Sequence, residues 1–425
     1  MKGLKPIICI VFAILSHSSS AQQSATLSDE IRTLIVAVES GERKMPVLQL
    51  GSGERVNISF DDMTHNYRRF TYTLQHCTWD WQLSENLFES EYMESSVNEG
   101  VIEGYTQSMN TSVLYTHYEF SLPNSYMRPL ISGNYRLTIS VDDEDADEGK
   151  RPVAVACFSV VEPIVGIGSS VSTNTELDWN DRHQQLTLQV NCGALNARDA
   201  RTEFKAVVLQ NRRWDNAVVA PEPTSIMGTT LLWEHDRRLA FPAGNEYRKF
   251  EMLSTRYPGM GVESTGFYHP YYHATIFPDE VCRNYLYDED CNGCRVIRTD
   301  DGFGGAPEVE SDYMLTHFTL LADSFPNTSV YVSGDWTHNL LTPAYRMHYN
   351  PNTRAYETVL LLKQGYYNYQ YLTVPQIKNG PGQTAPTEGD FYQTENEYDI
   401  LIYYSTPSQR YDRLVGHAQT TFRLK

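Results

Sequence analysis

Basic residues are scarce: 34 Lys and Arg stand against 53 Asp and Glu in 425 residues, leaving a formal charge of -19. That balance excludes a general nucleic-acid binder, whose phosphate contacts need clustered Lys and Arg, and it suits an anionic lipid surface poorly. Long apolar runs are missing beyond the first 21 residues, so no later segment spans a bilayer as a helix. Helical periodicity is nearly absent as well. Residues 28–39 alone resemble a helix, and their Leu34, Val36 and Val38 fit a strand equally well. There is no HExxH, no GxSxG, no GxxxxGK[ST] and no GxGxxG opening a helix, which removes the usual sequence support for an enzyme. The expectation is a protein that binds without catalysis and needs no cofactor.

At the N-terminus, Lys2 and Lys5 precede an apolar run over residues 7–15, and Ser19 and Ala21 form a small-residue cleavage pattern. A secretory signal peptide is predicted over residues 1–21, with the mature chain starting at Gln22. The run is too short to span a membrane, and Cys9 lies inside it rather than after it, which argues against a lipid anchor. Loss of Lys2 and Lys5 takes the charge from -19 to -21. The mature protein is expected to be soluble beyond an inner membrane, without direct membrane insertion.

The rest of the chain alternates with period two. Val56, Ile58 and Phe60 alternate with Asn57 and Ser59, and Tyr135, Leu137, Ile139 and Val141 alternate with Arg136, Thr138 and Ser140. Turn residues such as Gly51-Ser52-Gly53 and Ser132-Gly133-Asn134 separate the strands. This predicts an all-β chain of tandem Ig-like β-sandwich domains, over residues 22–162, 163–301 and 302–425. The acids between Asp142 and Glu148 are nearly consecutive and read as a solvated hairpin tip rather than a calcium loop.

Six cysteines remain after the signal: Cys77, Cys157, Cys192, Cys282, Cys291 and Cys294. Cys77 shares a parity with Thr71, Thr73 and Gln75 and reads as a surface thiol, while Cys192 shares one with Leu186, Leu188 and Val190 and reads as a core thiol. Cys291-Asn292-Gly293-Cys294 lacks a second ligand pair, which favours a local disulfide or free thiols over zinc. His269 and His273 flank Pro270, so they lack the shared helical face of a zinc protease. Asp80 lies among rings, but a glycosidase needs a second carboxylate that the sequence does not pair with it.

Trp79 and Trp81 flank Asp80 with a common parity, and Trp336 follows the strand over residues 331–333. These three are the candidate partner-binding residues, with packing in a core or seam as the commoner fate of Trp. The segment around Trp336, with the later Gly365-Tyr366-Tyr367-Asn368-Tyr369-Gln370-Tyr371, resembles Ig-like starch- and glycogen-binding modules. Trp336 stands where that pattern has Phe, and no second Trp follows. Tyr367, Tyr369 and Tyr371 share one face and read first as a packed ladder.

A longer series of motifs runs through Ser59-Phe60-Asp61-Asp62-Met63, His76-Cys77-Thr78-Trp79-Asp80-Trp81, Tyr115-Thr116-His117-Tyr118, Ser132-Gly133-Asn134-Tyr135, Leu362-Lys363-Gln364-Gly365, Glu388-Gly389-Asp390 and Arg410-Tyr411-Asp412-Arg413. Taken in this order, it resembles the plug-protein family of the type IX secretion system. The resemblance spans nearly the whole mature chain. It implies a periplasmic protein associated with the inner face of the outer membrane, whose partner is the large β-barrel translocon it seals when no cargo moves. A periplasmic glycan-binding module is the alternative, resting on the last domain alone.

Overall fold

Period-two alternation becomes three pairs of packed antiparallel-rich sheets. The computed structural model describes residues 24–424, apart from residues 42, 147–148, 196, 221 and 377–379. The expected signal peptide and Gln22 lie outside them, as do Asp147 and Glu148 of the acidic run. Within the described residues the chain is all-β, with three α-helical segments of four residues each.

In the first sandwich, Val56–Asp62 lies between Ile31–Val38 and Thr116–Leu122, and the facing sheet is built on Phe70–Cys77, Gly133–Asp142 and Lys150–Val161. Phe60 stacks on Tyr118 at 5.4 Å and meets Phe70 edge-on at 5.1 Å, so aromatic packing fills the space between the sheets. Residues 28–39 hold a strand. Its register slips between Arg32 and Ile35, with Thr33 at φ 50°, so Ile31, Leu34 and Val38 reach the core at a spacing that imitates a helix.

Lys150–Val161 is buried without a break from Val153 onward. Its Ala154, Ala156, Phe158 and Val160 enter the first core, while Val155 and Cys157 turn to the opposite side, against Trp81 and Trp214. A strand covered on both faces loses the alternation that marks a half-buried one.

The packing does not divide at residues 301 and 302. In the second sandwich, Phe204–Gln210 pairs with Asn396–Tyr404, which in turn pairs with Arg413–Phe422. Its core joins Leu186, Leu188, Val208 and Trp233 to Tyr398, Ile400, Ile402 and Val415. The third sandwich is inserted between these parts of the chain, and its core runs from Phe250 and Ile276 to Phe318, Trp336 and Tyr371. Alternation marks each strand but does not name its partner. The turn-rich segment at residues 300–307 is therefore a loop inside the third unit, where Glu310 accepts the backbone N–H of Phe303, Gly304 and Ala306.

Candidate functional site

Several side chains of the motif series, Asp61, Tyr115, Asn134, Lys363 and Asp412 among them, meet at seams between the sandwiches. At the seam of the first and third, Asp61 Oδ2 accepts from Lys363 Nζ at 2.6 Å and from Tyr313 Oη at 2.6 Å, and its Oδ1 faces His117 Nδ1 at 2.7 Å. Lys363 also donates to Glu308 O at 2.6 Å and lies 4.2 Å from the centre of the Tyr115 ring. Tyr115 in turn donates to Ser311 O at 2.7 Å. Asp312 accepts the backbone N–H of Ser112 and Val113, at 2.6 and 3.0 Å.

Burial opposes the charged form of both ions. At Asp61, Lys363 and His117 outweigh it and hold the carboxyl below its usual range. At Lys363, burial outweighs the pull of Asp61 and holds the ammonium below its usual range. The pair is a seam fastener, with Lys363 Nζ bonded to Asp61 Oδ2 and Glu308 O and facing the Tyr115 ring.

The seam of the first and second sandwiches is apolar. Met45, Val47 and Val161 pack on Val207, Leu209, Leu401, Tyr403 and Leu414. Polar ties border this core: Tyr403 Oη donates to Asn134 Oδ1 at 2.9 Å, Trp79 N to Asp412 Oδ2 at 3.1 Å, and Arg413 Nη2 to Glu162 Oε2 at 2.7 Å. At the seam of the second and third, Arg212 donates to Asn292 O at 3.3 Å and Arg213 to Gly382 O at 2.8 Å. A cavity of about 720 Å³ remains where the three meet, lined by Ile58, Trp81, Trp214, Arg212, Arg295 and Asp335 among others.

The three tryptophans go to packing. Trp81 is buried and meets Trp214 edge-on at 5.4 Å. Its backbone sits at φ 64°, a conformation that costs a non-glycine residue about 1–2 kcal/mol, so its neighbours hold it there. Trp336 is buried in the third core and donates Nε1–H to Asn368 O at 2.8 Å. Trp79 is half-buried, with Lys205 Nζ 5.1 Å from its ring centre. Burial removes Trp81 and Trp336 from the surface contacts expected of them. Tyr367, Tyr369 and Tyr371 are core residues too, so these rings offer no platform to a glycan.

Cys77 corrects the parity argument, being fully buried. Its side of the strand faces Trp81 and Trp214 rather than water. Cys192 is buried, and Cys291 and Cys294 form a disulfide. His273 pairs with His317, Nδ1 to Nε2 at 2.8 Å, rather than with His269. Among the described residues no group of three or more His, Cys, Asp or Glu is placed to hold a metal, and Asp80 is bonded within its own turn to Thr78.

What single-residue reading missed is the set Asp61, His117, Asn134, Lys363 and Asp412. For Asp61, His117, Asn134 and Lys363, a charged or polar residue inside a largely apolar strand was the available signal, because such groups are buried only with partners.

Comparison with known proteins agrees with the motif series. Residues 31–162 match the family described as type 9 secretion system plug protein, first domain. A crystal structure of a hypothetical protein from Parabacteroides merdae is 40% identical, with a TM-score of 0.90, over 94% of this chain and 99% of that one. No curated protein matches. No described helix is long and apolar enough to cross a membrane. Residues 31–162 thus belong to the family of type 9 secretion system plug protein first domains.

Proposed function

We propose that this protein binds the periplasmic mouth of the outer-membrane β-barrel translocon of the type IX secretion system and seals it when no cargo is moving. The observation that carries the reading is the joining of three sandwiches through buried seams, with the Asp61–Lys363 pair at one and an apolar core at another. A reversible seal needs bulk that does not deform under load, and interlocked units supply it where flexibly linked domains would not. The acidic surface keeps the released form soluble, and binding rather than chemistry is the work performed.

The test is recovery of the partner. Tagged full-length protein, passed over detergent-solubilised outer membranes, retains one very large barrel protein if the reading is right. Retention of no barrel overturns it.

A further inference from the structure

A sheet edge presents a row of unpaired backbone N–H and C=O groups, and native chains blunt it with charge or a bulge. Among the described residues, four terminal strands are seven residues long or more: Ile31–Val38, Gly166–Ser172, Val262–Tyr268 and Arg413–Phe422. Three of them carry both devices. Arg32, Glu263 and Arg413 supply the charge, and the register shifts between Arg32 and Ile35, between Val262 and Ser264, and between the partners of Ile402 and Tyr403. Gly166–Ser172 has neither. It pairs with His183–Asn191 through its whole length without a shift, and residues 163–175 hold no Asp, Glu, Lys or Arg, in a chain whose charged fraction is 20%.

The backbone of this strand is bonded on one side. Just before it, Ile164 N–H and Val165 N–H both donate to Val415 O, which fixes where the strand begins. From Gly166 to Ser172 no backbone bond leaves the outer edge for another described residue. Alternate N–H and C=O groups therefore point away from the sheet, and an extended backbone is the occupant that satisfies them in series. Gly166, Gly168, Ser170 and Ser172 stand on the exposed face, where small side chains let a second backbone approach. Ile167 and Val171 stand on the other face and pack on the second core.

We infer that the occupant is a second copy of this chain, added antiparallel at this edge about a two-fold axis through Ser169. The strand is complementary to itself in that register. Ile167 of each copy falls opposite Val171 of the other, Gly166 opposite Ser172 and Gly168 opposite Ser170, so apolar meets apolar on one face and small meets small on the other. The turn that follows carries Leu177 and Trp179, and Trp179 is 74% exposed. Pairing brings this turn next to Pro163 and Ile164 of the other copy, which gives its apolar side chains a cover. Both copies are acidic, but the uncharged stretch surrounds the axis, and charges farther apart than about 8 Å are screened at physiological salt. A seven-residue edge makes a small interface, so the pairing is reversible and depends on concentration. It does not depend on the plug reading.

Sedimentation equilibrium of the mature protein tests this. The mass should rise from that of one chain towards that of two as concentration increases; a single-chain mass throughout overturns the inference. Gly168→Lys with Ser170→Lys sets Lys opposite Lys twice across the axis and should weaken the dimer at least tenfold at an unchanged melting temperature. The site has room, since a Cβ at Gly168 would meet only Gln189 Cβ, at 3.8 Å. Gly168→Glu with Ser170→Glu should weaken it as much, and an equal mixture of the two variants should dimerise again, because each Lys then faces a Glu. Undiminished dimerisation of the Lys variant, or a mixture that stays monomeric, overturns the strand pairing.

Discussion

Lys363 Nζ lies 2.6 Å from Asp61 Oδ2, across 302 residues of sequence, with both side chains all but fully buried. Breaking such a pair leaves an uncompensated charge in the seam, at a cost of about 3–5 kcal/mol. Lys363→Met should therefore lower the urea unfolding free energy by roughly that much. Adding Asp61→Asn should recover part of the loss, because the stranded carboxylate is then gone. A loss in the single variant below about 1 kcal/mol, the range of surface pairs, would show that the seam admits water.

Burial of His76 should make the protein sensitive to acid. Its ring is buried, with Nε2–H donating to Ser132 O at 3.2 Å and Nδ1 accepting from Ser84 Oγ at 2.8 Å, and burial lowers its pKa to about 4. The unfolded chain, with a His pKa near 6.5, binds the proton first. This contribution is present above pH 6.5 and is lost as pH falls towards 4. The loss amounts to about 3 kcal/mol at most. His76→Gln should be less stable at pH 7 and show a flatter acid limb in melting temperature against pH.

Glu246 acts in the opposite direction. Burial raises its pKa to about 7, although Tyr285 Oη and Glu395 N both donate to Oε1. The folded form here holds its proton more tightly than the unfolded one, so stability declines as pH rises from 4.5 to about 7. Glu246→Gln keeps the acceptor and removes the charge. With the group partly exposed, a gain of about 1 kcal/mol at pH 8 remains after discounting for solvent screening, and the gain should vanish at pH 4. Melting curves at the two pH values check this.

Thiol counting separates the disulfide from metal at the paired cysteines. Cys291 and Cys294 are bonded, and Cys77, Cys157, Cys192 and Cys282 are free. Burial pushes the Cys77 thiol up to about 11, and Cys157 is also raised by burial, which keeps both unreactive. The mature protein, denatured without reductant, should titrate four thiols. Six thiols with one equivalent of zinc would contradict the pairing.

Sequence reading reached the strands and stopped short of their partners. The alternation at Val56–Asp62 and Gly133–Asp142 marked core faces that the structure fills, with Ile58, Phe60, Leu137 and Ile139 in one core. Cys77 was misread because its polar neighbours Thr71, Thr73 and Gln75 suggest solvent, while the far end of that face lies under Trp81 and Trp214. The return of Asn396–Tyr404 to Phe204–Gln210 was not legible, since a period of two carries no address. Asp61 and Lys363 both stand in the motif series, but nothing local to either announces the other.

Sealing of a pore is read out as the permeability of the outer membrane. Uptake of a large, normally excluded antibiotic is measured in four strains: intact, plug-deleted, barrel-deleted and doubly deleted. Plug deletion should raise uptake, and the rise should disappear in the strain that also lacks the barrel. Unchanged uptake on plug deletion, or an equal rise without the barrel, would contradict the account.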